Sequence, residues 1–254
     1  MELKGTVAIV TGGGTGVGRA VALSLARAGS KAVAINYSRS RKEAEATAKE
    51  VAEVGGEGLP IAADVSDDAA VRAMVTETVS RFGRLDVLVN CAGITRFIPF
   101  SDLEALTDEV WQSILGVNLM GAFYASRAAA PHLKKMRGSI VNIASVAGLR
   151  SGGSSLPYGV SKAALTQLTR ALALALAPEV RVNCVNPGLI ATRWFREGIG
   201  EEATESLERK SAETSPLRAV VTPEHVAQVV MGFIQSDMVT GEHLVIDAGK
   251  FGTY

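Results

Sequence analysis

Short, continuous apolar runs alternate with longer helix-type stretches along the whole 254-residue chain. The apolar runs are Val7–Val10, Ala32–Asn36, Leu59–Ala63, Val87–Asn90, Ile140–Ile143, Val182–Val185 and Leu244–Ile246. Most are unbroken, the pattern of strands buried on both faces of a parallel sheet. Between them the sequence predicts helices over Gly16–Ala28, Arg41–Val54, Asp67–Phe82, Asp108–Met136, Tyr158–Ala177 and Pro223–Gln235. Asp67 stands where an N-cap belongs, Pro223 at a first helical position, and Gly29 and Gly55 just past helix ends. Strand and helix in regular succession, joined by right-handed crossovers, lead to an α/β fold: a single doubly wound, seven-stranded parallel sheet with helices on both faces. No linker, repeat or low-complexity stretch interrupts it, so residues 1–254 read as one domain. Residues 189–221 break the alternation with the mixed run WFREGIGEEATESLERK. An insertion of that length after a strand's carboxyl end predicts a substrate lid.

Composition narrows the partners. Lys+Arg and Asp+Glu both number 26, so net charge gives no reason to expect nucleic acid or an anionic membrane surface. The run Val7–Val10 is too short for a signal-peptide core, and the apolar helical stretch Ala171–Ala177 is far below bilayer-spanning length. Cys91 and Cys184 sit in no metal-ligand spacing, and His132, His225 and His243 are scattered. His132 and His225 read as ordinary helix residues. The expectation is a cytoplasmic protein with no disulfide framework and no metal.

The first strand is followed by Thr11-Gly12-Gly13-Gly14-Thr15-Gly16-Val17-Gly18 and then a helix. Glycines there permit a tight turn, close approach of backbone to a pyrophosphate, and tight helix–sheet packing, and the helix start offers free N–H groups. At the first strand–helix junction of a doubly wound sheet this predicts nucleotide binding in a Rossmann-like manner. The second strand ends at Asn36, where a carboxylate would hold a ribose 2′-hydroxyl and favour NAD. An amide there, followed by Ser38 and Arg39, favours NADP(H) over NAD(H): Arg39 offers a charge-assisted fork for a 2′-phosphate. The plainer alternative is that Arg39, Arg41 and Lys42 only solvate the start of the second helix.

Tyr158 and Lys162 lie at i and i+4 of a predicted helix and share a face. An unperturbed tyrosine, with a pKa of about 10, is a poor base at neutral pH, and a nearby ammonium lowers that pKa. Alone the pair is common. Ser145, at the carboxyl end of the fifth strand, is placed to hydrogen-bond a substrate oxygen.

Taken together, the ordered motifs T-G-x-x-x-G-x-G, N-x-A-G, P-G-x-x-x-T and the set Asn118, Ser145, Tyr158, Lys162 resemble the short-chain dehydrogenase/reductases over essentially the whole length. The resemblance implies Tyr158 as general acid/base, with Lys162 lowering its pKa and binding the nicotinamide ribose. It implies that Ser145 orients the carbonyl and that Asn118 holds a relay water through a helix distortion. It also implies cofactor contacts from Gly12, Gly14, Thr15, Gly16, Val17, Gly18, Ser38, Arg39, Asp64, Val65, Asn90, Ala92, Gly93, Tyr158, Lys162, Pro187, Gly188, Ile190 and Thr192. Cys91 departs from the family, which usually carries there a second asparagine that ties neighbouring strands.

The implied reaction is hydride transfer between NADP(H) and a carbonyl/secondary alcohol pair. The segment NYSRS is similar to 3-oxoacyl-acyl-carrier-protein reductases, whereas Arg150-Ser151-Gly152-Gly153-Ser154-Ser155-Leu156-Pro157 departs from the pattern usual before their tyrosine. A 3-oxoacyl thioester and a sugar, polyol or cyclic alcohol oxidised with NAD both stay open. The loop residues Arg96, Phe97 and Ile98 and the lid residues Trp194, Phe195 and Ile199 suggest an apolar pocket with an anion contact, or simply packing of the lid. A rival of another class is a non-catalytic nucleotide sensor on the same fold. The resemblance further implies a homotetramer or homodimer built on the long helices; the tail Gly249–Tyr254 is a separate candidate for reaching a neighbour's site.

Overall fold

The computed structural model describes residues 1–190 and 192–253; Tyr254, the end of the tail expected near a neighbour, lies outside the described residues. Among the described residues seven strands form: β1 Val7–Thr11, β2 Ala32–Tyr37, β3 Glu57–Ala62, β4 Val87–Asn90, β5 Ser139–Ile143, β6 Arg181–Pro187 and β7 His243–Ile246. All pair in parallel, in the order β3-β2-β1-β4-β5-β6-β7. The order reverses between β1 and β4, which opens a crevice at their carboxyl ends.

The helices are α1 Gly16–Arg27, α2 Arg41–Glu53, α3 Asp68–Phe82, α4 Asp108–Leu115, α5 Ala122–Met136, α6 Leu156–Leu176, α7 Arg193–Ile199, α8 Glu201–Thr214 and α9 Pro223–Gln235. Successive strand side chains point to opposite faces. In β1, Ala8 and Val10 pack with α1, α2 and α9, whereas Val7 and Ile9 pack with α3, α5 and α6. Each such fully buried Val or Ile contributes about 1.5–3 kcal/mol, so the continuous apolar strands hold the two helical layers to one sheet.

The expected caps form. Asp67 accepts the Ala69 and Ala70 N–H groups at 2.8 and 3.3 Å, and Gly29 and Gly55 take left-handed φ of 95°. His225 is more than an ordinary helix residue: its N–H donates to Thr222 Oγ1, and its ring nitrogen accepts the Thr222 N–H, closing a capping box on α9.

Some boundaries differ from expectation. β3 begins at Glu57, and α6 begins at Leu156, with Ser155 as N-cap and Pro157 in the first turn where its missing N–H costs nothing. Asp108–Met136 is not one α-helix. A π-turn at Gly116–Gly121 separates α4 from α5. At Gly121 a Cβ would come 2.8 Å from Val65 Cγ2, so only glycine lets this turn lie so close to the loop after β3. The expected insertion contributes α7 and α8, joined at Gly200.

Candidate active site

The carboxyl ends of the strands open into one cleft of 3230 Å³. That exceeds the roughly 300–1,000 Å³ of a typical small-ligand pocket and suits an extended ligand plus a second molecule. The glycine turn, the loops after β2 to β6, and α7 line it.

Thr11 organises the crevice. Its Oγ1 accepts the Cys91 and Ala92 N–H groups at 3.0 and 3.1 Å, joining the β1 turn to the β4 loop. In sequence Thr11 is only the first letter of a motif, with nothing to show this bond. Gly12, Thr15, Gly16 and Val17 face the cleft. Thr15 is the N-cap of α1 but makes no side-chain cap, and the first turn carries no acidic residue, so its N–H groups remain available to an anion. Gly14 and Gly18 do not line the cleft. A Cβ on Gly14 would stand 2.9 Å from Ala44 N, and one on Gly18 2.2 Å from Gly12 O. Both act by letting the turn pack against α2 and against itself.

Asn36 is buried and turned inward. Its Nδ2 donates to Ala63 O at 2.9 Å, and its Oδ1 accepts the Gly12 N–H at 3.3 Å. Ser38 and Arg39 line the cleft just beyond it. Asp64 also lines the cleft; its Oδ1 accepts the Ser66 N–H and hydroxyl at 2.9 and 2.7 Å, and Val65 follows it. Ala92, Gly93, Pro187, Gly188, Ile190 and Thr192 complete that side.

Asn90 lies behind the wall, because its side chain points into the sheet. Nδ2 donates to Asn142 Oδ1 at 2.8 Å and to Ser126 Oγ at 3.2 Å, and Asn142 in turn donates to Thr169 Oγ1 at 2.8 Å. This buried chain runs from β4 through β5 to α6, the helix that carries Tyr158 and Lys162. The structural tie that the resemblance attaches to position 91 is thus made at position 90. Asn142 and Thr169 carry no sign of this role in the sequence, because a polar residue in an apolar strand or helix does not name its partner.

Tyr158, Ser145 and Lys162 meet in the cleft. Ser145 Oγ accepts the Ala147 N–H at 3.1 Å and so caps a turn, while its side chain favours the ionised form of Tyr158. Lys162 is buried, donates to Ile143 O at 2.8 Å, and lies 5.7 Å from the centroid of the Tyr158 ring. Burial pushes Tyr158 up to about 12, with Ser145 pulling the other way. Burial pushes Lys162 down to about 8. The protein's own groups therefore keep the phenol protonated at neutral pH. The depression of Tyr158 by Lys162 expected from their spacing does not arise here: desolvation dominates, and Ser145 is what opposes it. Cys91, pushed up to about 11 by burial, is a poor nucleophile.

Asn118 sits in the π-turn, buried, one layer behind the cleft. Its Oδ1 accepts the Ile94 N–H at 2.8 Å, and its Nδ2 donates to Ile94 O and to Ser161 Oγ, each at 3.0 Å. Ser161 donates to Tyr158 O at 2.7 Å, so Asn118 links the β4 loop to the turn of α6 that carries Tyr158.

The sequence matches the family described as enoyl-(acyl carrier protein) reductase over residues 12–250. It is 44% identical over 194 residues to a granaticin polyketide synthase ketoacyl reductase of Streptomyces violaceoruber, covering 76% of this chain and 77% of that one. It is 36% identical over 258 aligned residues to 3-oxoacyl-(acyl-carrier-protein) reductase of Thermotoga maritima, covering 98% and 99%. The chain belongs to the short-chain dehydrogenase/reductase family. A short-chain type dehydrogenase/reductase from Mycobacterium marinum superposes with a TM-score of 0.87 at 33% identity, covering 98% of this chain and 96% of that one. This short-chain dehydrogenase/reductase is accordingly an oxidoreductase acting on CH–OH or keto groups with a nicotinamide cofactor, which sets aside the non-catalytic sensor. The residues fit such a cofactor: uncapped amides at α1, a basic residue beyond β2, and a corner at Gly93 where a Cβ would stand 3.5 Å from Lys162 Nζ. Among the described residues no three metal-ligating side chains come together, and no helix is long and apolar enough to cross a membrane.

Proposed function

We propose that this chain is an NADP(H)-dependent carbonyl reductase whose substrate is a 3-oxoacyl thioester. The observation that carries the reading is the convergence of Ser145, Tyr158 and Lys162 at the cleft floor, with Tyr158 held protonated. NADPH, when bound, supplies the hydride. Ser145 hydrogen-bonds the substrate carbonyl oxygen, and Tyr158 gives that oxygen its proton as the carbonyl carbon is reduced. Lys162 and the segment Ala92–Gly93 hold the nicotinamide ribose, and Asn118 positions the β4 loop and the catalytic turn. The preference for NADP(H) is supported by Asn36 being occupied inside the fold while Ser38 and Arg39 face the cleft. The thioester is supported by the names of the two relatives above. In this reading α7 and α8 form the substrate lid. The exposed Val160 and Leu174 of α6, 43% and 84% accessible, support pairing of subunits through that helix.

The test is a panel of 3-oxoacyl thioesters, sugars, polyols and cyclic alcohols with NADP(H) and NAD(H) in both directions. Reduction of the thioester with NADPH is expected. Tyr158→Phe should still bind nucleotide and lose nearly all turnover; near-normal activity in that variant overturns the catalytic assignment. Turnover confined to sugars or polyols with NAD⁺ overturns the substrate and cofactor assignments.

A further inference from the structure

The lid reaches deeper into the cleft than a cover needs to. The Trp194 ring stands edge-on to the Tyr158 ring, centroids 6.0 Å apart and planes at 78°. Its Cη2 is 3.8 Å from the point a Gly93 Cβ would occupy, and the same point is 3.5 Å from Lys162 Nζ. Trp194 therefore occupies the corner between the catalytic tyrosine, the lysine and the β4 loop.

A second contact holds it there. Phe97, on the β4 loop, meets Phe195 at 5.9 Å between centroids and 61° between planes. The Phe97 ring is seated against Gly198 of α7, where a Cβ would stand 2.0 Å from Cε2 and 2.5 Å from Cδ2. No larger residue permits this seat without moving the ring or the helix. The loop is itself anchored, since Ile98 N–H donates to Ser154 O at 2.9 Å and the Thr95 and Ser154 hydroxyls bond at 2.5 Å. The latch thus has a fixed side and a helix side.

We propose that Trp194 is a gate on the nicotinamide end of the cleft, held shut by Phe97 seated at Gly198, and that it withdraws when a nicotinamide dinucleotide binds. This rests on the reading of Gly93 and Lys162 as the ribose-holding pair. The adenine end, at Ser38, Arg39 and Asp64, lies outside the gate's reach. Ligands that end before the nicotinamide ribose therefore bind without opening it. A gate shut in about two thirds to nine tenths of molecules weakens apparent affinity roughly 3- to 10-fold, and removing the gate restores it.

The test compares NADP⁺ with 2′-phospho-ADP, which lacks the nicotinamide and its ribose, by calorimetry on the wild type, Trp194→Ala and Gly198→Ala. Both variants should bind NADP⁺ roughly 3- to 10-fold more tightly and 2′-phospho-ADP unchanged. In a Trp111→Phe background, where Trp194 is the sole tryptophan, NADP⁺ should red-shift its emission and raise its quenching by acrylamide, and 2′-phospho-ADP should do neither. Unchanged or weaker NADP⁺ binding in both variants, or equal gains for the two ligands, overturns the gate. NAD⁺ and ADP run as a parallel pair, so an error in the 2′-phosphate preference shows separately. If no pair binds the wild type, the ribose-holding reading fails and the gate with it.

Discussion

Gly18→Ala tests whether the glycine turn acts through its packing. The added Cβ would stand 2.2 Å from Gly12 O, 2.8 Å from Gly12 C and 2.9 Å from Gly13 Cα. Ordinary contacts are near 3.5 Å, so the worst overlap is about 1.3 Å. All three atoms are backbone, so no rotamer change relieves it and the turn itself must shift. Overpacking of this kind costs about 1–3 kcal/mol, which for a chain of this size lowers Tm by roughly 2–12 °C. Gly12 and Gly16 face the cleft, so the shift also moves the backbone that meets the phosphates, and nucleotide affinity should fall roughly 10- to 100-fold. Gly14→Ala is the control. Its Cβ collides with α2, at Ala44, on the far side from the cleft. It should cost stability to a similar degree with a much smaller loss of affinity. Thermal unfolding and calorimetry with NADP⁺ give both numbers. Wild-type nucleotide affinity in folded Gly18→Ala, or equal affinity losses in the two variants, would refute the reasoning.

Arg39→Ala should lower kcat/KM for NADPH roughly tenfold, the lower end for a charge-assisted bond, and leave NADH within about twofold; equal losses with both nucleotides would show that Arg39 does not read the 2′-phosphate. Lys162 gives a pH signature in stability. Its pKa is pushed down to about 8 in the fold, so between pH 8 and its ordinary value near 10.5 the unfolded chain holds a proton that the folded chain has released, and stability rises with pH across that window. Cys91 and Tyr158, both pushed up, act oppositely above about pH 9 and are common to wild type and variant. Lys162→Met should therefore flatten the rise in urea midpoint between about pH 8 and 9.5; identical slopes would count against the buried-lysine account.

Much of the fold was legible because its signals are local. Unbroken apolar runs mark strands buried on both faces, and Asp67, Gly29 and Gly55 mark helix ends through bonds to their own neighbours. Tyr158 and Lys162 share a face through simple helical spacing. What escaped depends on distant partners. Asn90 and Asn36 look alike in sequence to residues that face a ligand, yet Asn142, Ser126, Ala63 and Gly12 turn their side chains into the body. The π-turn at Gly116–Gly121 is signalled only by the family resemblance, which puts a helix distortion at Asn118; the apolar periodicity barely changes across it, and the close contact that requires Gly121 is with Val65, about fifty residues away. Phe97 at Gly198 is likewise a contact between two segments that sequence spacing does not relate.

The pairing of Asn118 with Ile94 bears on where the cleft can move. One side-chain amide engages both the N–H and the C=O of a single loop residue, as a neighbouring strand would. The first residues after β4 are thus irregular in shape but not in restraint. In exchange with heavy water the Ile94 amide should be as slow as those of the sheet, and the boundary between rigid and yielding backbone should fall just after it. Motion that admits or releases ligands then starts from a fixed pivot at the catalytic floor, with the reacting groups on its quiet side.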